Sequence, residues 1–136
     1  MARVFLSYAR ADRPRVSELA AALERAGHDV WWDRRLSGGA EFEHQIEQAL
    51  ADADVVVVVW SVASVRSHWV RDEAAAGRDR DRLVPVSLDG SAPPLGFRQL
   101  HTIDVTAWKK DSSCCCPQVE DAVEATMRGN SGLGRQ

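Results

Sequence analysis

Asp54 introduces the run Val55-Val56-Val57-Val58-Val59-Trp60, in which apolar residues follow one another without alternation. A strand with one face in water would alternate, so this run has to be covered on both faces. Helices on either side of a parallel sheet provide that cover, and the neighbouring sequence supplies them in turn. Val4-Phe5-Leu6 is short, apolar and β-prone, and Asp12-Arg13-Pro14 is a helix-start signal. Val16, Leu19, Ala20 and Leu23 then fall on one helical face, and Gly27 stands where a left-handed residue ends such a helix.

Asp29-Val30-Trp31-Trp32 resumes strand character, and the segment Arg34 to Ala40 is a glycine-bearing loop. Phe42, Ile46, Ala49 and Leu50 repeat at helical spacing. After the valine run, Ser61 to Ser67 form a polar turn into a third helix around Trp69 to Gly77. Leu83 to Leu88 is a fourth strand whose Pro85 argues for a strand end or an edge-like position. Asp79-Arg80-Asp81-Arg82 alternates in sign and reads as a solvated turn. His101 to Val105 is a fifth strand candidate, and Val119, Ala122, Val123 and Met127 suggest a closing helix. Such alternation predicts a flavodoxin-like three-layer α/β fold with a five-stranded parallel sheet in the order 2-1-3-4-5. Ligands then belong at the carboxyl ends of strands one and three, beside Ser7-Tyr8-Ala9-Arg10 and Trp60-Ser61.

A length of 136 residues with 45% hydrophobic content fits one domain, expected over residues 1–128, with 129–136 as a flexible tail or truncated linker. The net charge of −3 advertises no basic surface for nucleic acid or anionic membrane, so neither is an expected partner. There is no apolar stretch of about 18 residues able to span a bilayer, and the expected location is the cytoplasm. Cys114, Cys115 and Cys116 are adjacent, which suits neither a disulfide framework nor a zinc site, and they read as reduced thiols. His28, His44, His68 and His101 are scattered without ligand spacing, so no metal site is expected. Gly38-Gly39 signals backbone freedom rather than a phosphate cradle.

Three segments remain: Phe5-Leu6-Ser7-Tyr8, then Trp32-Asp33 with Leu36-Ser37-Gly38-Gly39, and Ser67-His68-Trp69-Val70-Arg71-Asp72-Glu73. In that order on a βα frame they resemble the Toll/interleukin-1 receptor (TIR) family, in its bacterial, NAD+-cleaving form, over roughly residues 3–128. The first resembles the family's box-one strand, the second its BB loop, and the third the W-V-x-x-E helix of TIR domains that degrade NAD+. The resemblance implies cleavage of the nicotinamide–ribose bond to nicotinamide and ADP-ribose or a cyclic variant, with NAD+ as substrate and no cofactor.

Glu73 is the catalytic candidate, a carboxylate able to hold ribose hydroxyls and stabilise positive charge as nicotinamide leaves. Trp69 lies one turn away at i, i+4, so an aromatic wall would stand beside it. Tyr8 and Arg10 follow the first strand, and the resemblance places them with Asp33 and Trp69 around the substrate; Ala9 departs from relatives that carry an arginine there. Without the family, a glutamate in a surface helix is a solvated charge and a strand-end tyrosine is half-buried packing. Leu36, Ser37, Gly38 and Gly39 form the expected self-association loop, an apolar anchor on a mobile backbone. Expected partners are NAD+, other TIR domains in homo-oligomers or head-to-tail filaments, and a fused or associated sensor domain, in antiphage defence. The competing function is a noncatalytic TIR–TIR scaffold. A receiver domain shares the topology but needs an aspartate ending strand three, where this chain has Trp60-Ser61.

Overall fold

In the computed structural model, which describes residues 3–32, 40–100, 102–105 and 117–127, the valine run is β3 (Val55–Trp60), buried at every position. It lies between β1 (Arg3–Ser7) and β4 (Leu83–Ser87), with β2 (Asp29–Trp31) outside β1 and β5 (Ile103–Asp104) outside β4. Every pairing is parallel, and the order 2-1-3-4-5 is the expected one. A central parallel strand has no solvent face, which is why its sequence shows no alternation.

Side-chain parity sorts the core into two layers. On one face Val4 and Leu6 join Val55, Val57, Val59, Val84 and Val86, covered by α1 (Arg13–Arg25) and α4 (Pro117–Met127). On the other, Phe5, Val56, Val58 and Trp60 meet α2 (Ala40–Asp52) and α3 (His68–Asp79). Trp60 is fully buried there and tilts against Phe97 with ring centroids 5.2 Å apart. Gly77 permits the close approach of α3, because a Cβ on it would lie 2.8 Å from the Cβ of Val56.

Several local expectations are refined by the structure. Gly27 has φ +98° just past α1, the left-handed conformation its position required. Asp12 precedes α1 as expected but makes no side-chain cap; it ends a short 3-10 turn, Arg10–Asp12, with ψ 4° rather than the extended backbone from which a cap reaches back. The second helix begins at Ala40, one residue inside the expected loop, and the fifth strand is shorter than His101 to Val105.

Pro85 sits opposite Val58 in an interior strand, not at an end or an edge. The main-chain bonds Leu88 N–H to Trp60 O and Val105 N–H to Ser87 O show that even residues of β4 face β3 and odd ones face β5. The missing N–H of Pro85 therefore points towards β5, whose pairing begins only at Val86, and no ladder bond is lost. The turn after α3 is also more than solvated charge. Arg80 donates to the carbonyls of Leu50 (2.9 Å) and Ala53, and Arg82 to that of Asp54, so these cations satisfy acceptors at the end of α2 and the start of β3.

Candidate functional site

Ser67 starts the site. Its hydroxyl accepts the N–H of Val70 and caps α3, fixing the helix phase so that Val70, Glu73, Ala74 and Gly77 turn inward at i, i+3, i+4 and i+7. Glu73 thus stands among small and apolar residues, only 4% exposed. The expectation of a solvated surface charge fails, because the stripe that seats α3 on the sheet includes this carboxylate. Burying it unpartnered would cost several kcal/mol, about 3–5 by the measure of broken buried pairs. One partner is Ser7, the last residue of β1, whose hydroxyl donates to Glu73 Oε1 at 2.7 Å.

Both groups lie at the carboxyl end of β1, beside the point where the sheet order reverses. The loops on either side of that crevice are tied together. The Ser61 hydroxyl, just after β3, donates to Asp12 Oδ2, just before α1. Ser64 holds the β3 side by accepting the Ser61 N–H at 2.7 Å and donating to the Val59 carbonyl at 2.8 Å. Asp89, following β4, accepts the N–H groups of Val62 and Ser91. Burial of Asp89 works towards a higher pKa, but the hydrogen bonds from Ser91 and Val62 together outweigh it and hold the carboxyl below its ordinary value.

The predicted site residues divide into four sets. Glu73 and Trp69 share α3 but differ in depth: Trp69, one turn nearer the helix start, is 44% exposed while Glu73 is buried. Tyr8 is buried in the opposite layer with α1, where its hydroxyl donates to the Trp32 carbonyl at 2.7 Å and its ring lies 6.3 Å from that of Trp32. The Arg13 guanidinium covers the same Trp32 ring at 4.9 Å. Tyr8 and Glu73 therefore meet at one end of the sheet but on opposite faces, and the structure does not gather them around one space. Arg10 is exposed on its 3-10 turn. Asp33, Leu36, Ser37, Gly38 and Gly39 lie outside the described residues, as do Cys114, Cys115, Cys116 and His101.

Ser7 was not singled out by sequence reasoning, although the signal was present. It shares the parity of Phe5 on β1 and so faces the layer that holds α3. Asp12 reads in the sequence as a helix start and Ser61 as a turn residue beside the expected ligand site; the strand order brings their loops to the same end of the sheet, where the structure pairs them. Among the described residues no three His, Cys, Asp or Glu side chains are grouped to hold a metal, and no helix is long and apolar enough to cross a membrane.

Comparison with known proteins follows the same lines. The family model described as TIR domain matches residues 4–115. No curated protein sequence matches the chain. Among solved structures, the chain is similar to the TIR domain of the Toll-related receptor TRR-2 from Hydra magnipapillata, with TM-score 0.69 and 19% identity over 95% of this chain and 94% of that one. It is also similar to a metazoan TIR-STING receptor from C. gigas, solved in complex with 2',3'-cGAMP, with TM-score 0.68 and 22% identity over 93% of this chain and 40% of that one. At those identities the likenesses speak for the fold, and the family match agrees with it: this chain belongs to the TIR domain family.

Proposed function

We propose that this TIR domain is an NAD+ nucleosidase that cleaves the nicotinamide–ribose bond, giving nicotinamide and ADP-ribose or a cyclic variant, and that Glu73 is its catalytic residue. The observation that carries the reading is the burial of the Glu73 carboxylate on the inner stripe of α3, at the carboxyl end of β1. A carboxylate in that place is poor packing, and an electrostatic task explains its presence better than stability does. As the bond to nicotinamide breaks, its ring nitrogen keeps the bonding pair and leaves in a neutral molecule, positive charge moves to the ribose, and water, or a nitrogen of the substrate itself in the cyclic case, then bonds the anomeric carbon. A carboxylate in low-dielectric surroundings stabilises that charge, and neither a metal nor a strong acid is needed for departure. Trp69, half exposed at the start of the same helix, offers an aromatic face for the nicotinamide or adenine ring.

The reading extends to assembly through the segment containing Leu36, Ser37, Gly38 and Gly39, to a cytoplasmic setting, and to bacterial antiphage defence by NAD+ depletion. A second reading, a noncatalytic module that only joins other TIR domains, is favoured by one observation: Val62 and Trp69 both expose apolar surface around the turn from β3 to α3. Incubating the purified protein with NAD+ and measuring free nicotinamide separates the two. The enzyme releases nicotinamide and loses that release in Glu73→Gln; the scaffold releases none at any protein concentration.

A further inference from the structure

We infer that Ser7 is a positioning residue that sets the orientation of the Glu73 carboxylate, an inference that rests on the NAD+-cleaving reading of this site. The terminal torsion of a glutamate is broad and roughly two-fold, so packing alone does not fix the plane of its oxygens. A hydrogen bond does. The Ser7 hydroxyl meets Oε1 at 2.7 Å with both side chains buried, a length expected of a full-strength bond.

Its anchor is a strand paired in the middle of the sheet. Ser7 is opposite Val58 in the pairing of β1 with β3, and a register slip of one residue would turn its side chain to the other layer. The donor is therefore delivered to one point, from a strand, to a carboxylate on a helix.

Strand formation does not call for this hydroxyl. Alanine or valine would fill the position without a polar atom to desolvate, as valine does at the first five positions of β3. Ser64, equally buried at this end of the sheet, donates to main-chain carbonyls, that of Val59 at 2.8 Å and that of Ser61. Ser7 instead reaches across to a side chain 66 positions away. Serine in this place makes sense as the partner of Glu73.

The test uses the whole chain and compares wild type with Ser7→Ala, Ser7→Thr and Ser7→Cys, with melting curves for each. Misplacing a reacting group by a fraction of an ångström to one ångström costs up to about a hundredfold, so Ser7→Ala should lower kcat about 10- to 100-fold. KM should stay within about threefold, because the lost contact orients a catalytic group and does not bind substrate. Ser7→Thr keeps the hydroxyl and should restore most of kcat. Ser7→Cys keeps the size but offers only a weak donor, and should resemble Ser7→Ala. A wild-type kcat in Ser7→Ala or Ser7→Cys, or a folded Ser7→Thr as slow as Ser7→Ala, overturns the positioning role and leaves the enzyme reading standing. A wild-type protein that releases no nicotinamide at any concentration overturns the enzyme reading and this role with it.

Discussion

Val70, Glu73, Ala74 and Gly77 follow one another at the spacing of an inward stripe, and three of the four are what a helix packed on a sheet requires. The fourth is a charge whose burial opposes folding, offset by the bond from Ser7. Glu73→Gln keeps the shape and removes that charge. Nicotinamide release should fall at least about a hundredfold, as for loss of a preorganised electrostatic contact, while the melting temperature is unchanged or raised. A folded variant with wild-type turnover would remove Glu73 from the chemistry. Trp69 and Trp60 make a useful contrast on the same layer. Trp60→Ala empties a fully buried site and should cost about 3–5 kcal/mol in chemical denaturation. Trp69→Ala, at a position 44% exposed, should cost much less and yet impair substrate use. Equal destabilisation by the two would mean that Trp69 serves packing, and unchanged kinetic constants in Trp69→Ala would remove it from the pocket.

Among the elements, the seating of α3 depends on Gly77. Gly77→Ala puts a Cβ 2.8 Å from Val56, so α3 has to lift from the sheet, at a cost of about 1–3 kcal/mol in stability. Because the same helix carries Glu73 to Ser7, the rate should fall as well, and a stable, fully active Gly77→Ala would show that the fit of α3 is looser than the structure has it. Asp89 anchors the turns after β3 and β4, and its pKa is lowered on folding. A lowered folded value means stability present above the ordinary aspartate pKa, about 4, and lost as pH falls through the folded value. Asp89→Asn should therefore be less stable than wild type near neutrality, with the difference shrinking below about pH 4. A difference constant across pH 7 to 3 would deny the linkage. The elements themselves were largely legible: an unbroken valine run identifies a strand covered on both faces, and helical spacing identifies its covers. Arg80 and Arg82 were not, since alternating charges next to a turn look alike whether they meet water or the carbonyls of a helix distant in sequence. Pro85 misled for a related reason, because its harmlessness depends on where β5 begins, which only the assembled sheet decides. At the candidate site, the motif singles out Glu73 and strand parity sets Ser7 on the same layer, whereas the position of Tyr8 after β1 does not by itself say which face its side chain takes.

At the scale of the whole molecule, the elements around Glu73 leave little of it accessible in one copy. Glu73 is 4% exposed, Tyr8 is engaged in the opposite layer, and the Asp12–Ser61 bond ties the loops after β1 and β3 together. A monomer so arranged should be a poor enzyme, and contacts from a second copy are a natural way to open or complete the site. We propose that the segment with Leu36 makes such contacts, because its sequence sets one apolar residue beside Ser37, Gly38 and Gly39, a pattern suited to an anchor that docks. Head-to-tail contact of this kind is heterologous and need not close, so filaments are an allowed product. Specific activity should then rise with protein concentration, in step with mass measured by light scattering. Leu36→Asp should abolish both rises, because a charge in place of an apolar anchor opposes association, and a melting curve recorded beside it separates that effect from loss of the fold. Activity strictly proportional to protein from nanomolar to high micromolar, at monomeric mass throughout, would show that one copy opens its own site and that Leu36 has another use.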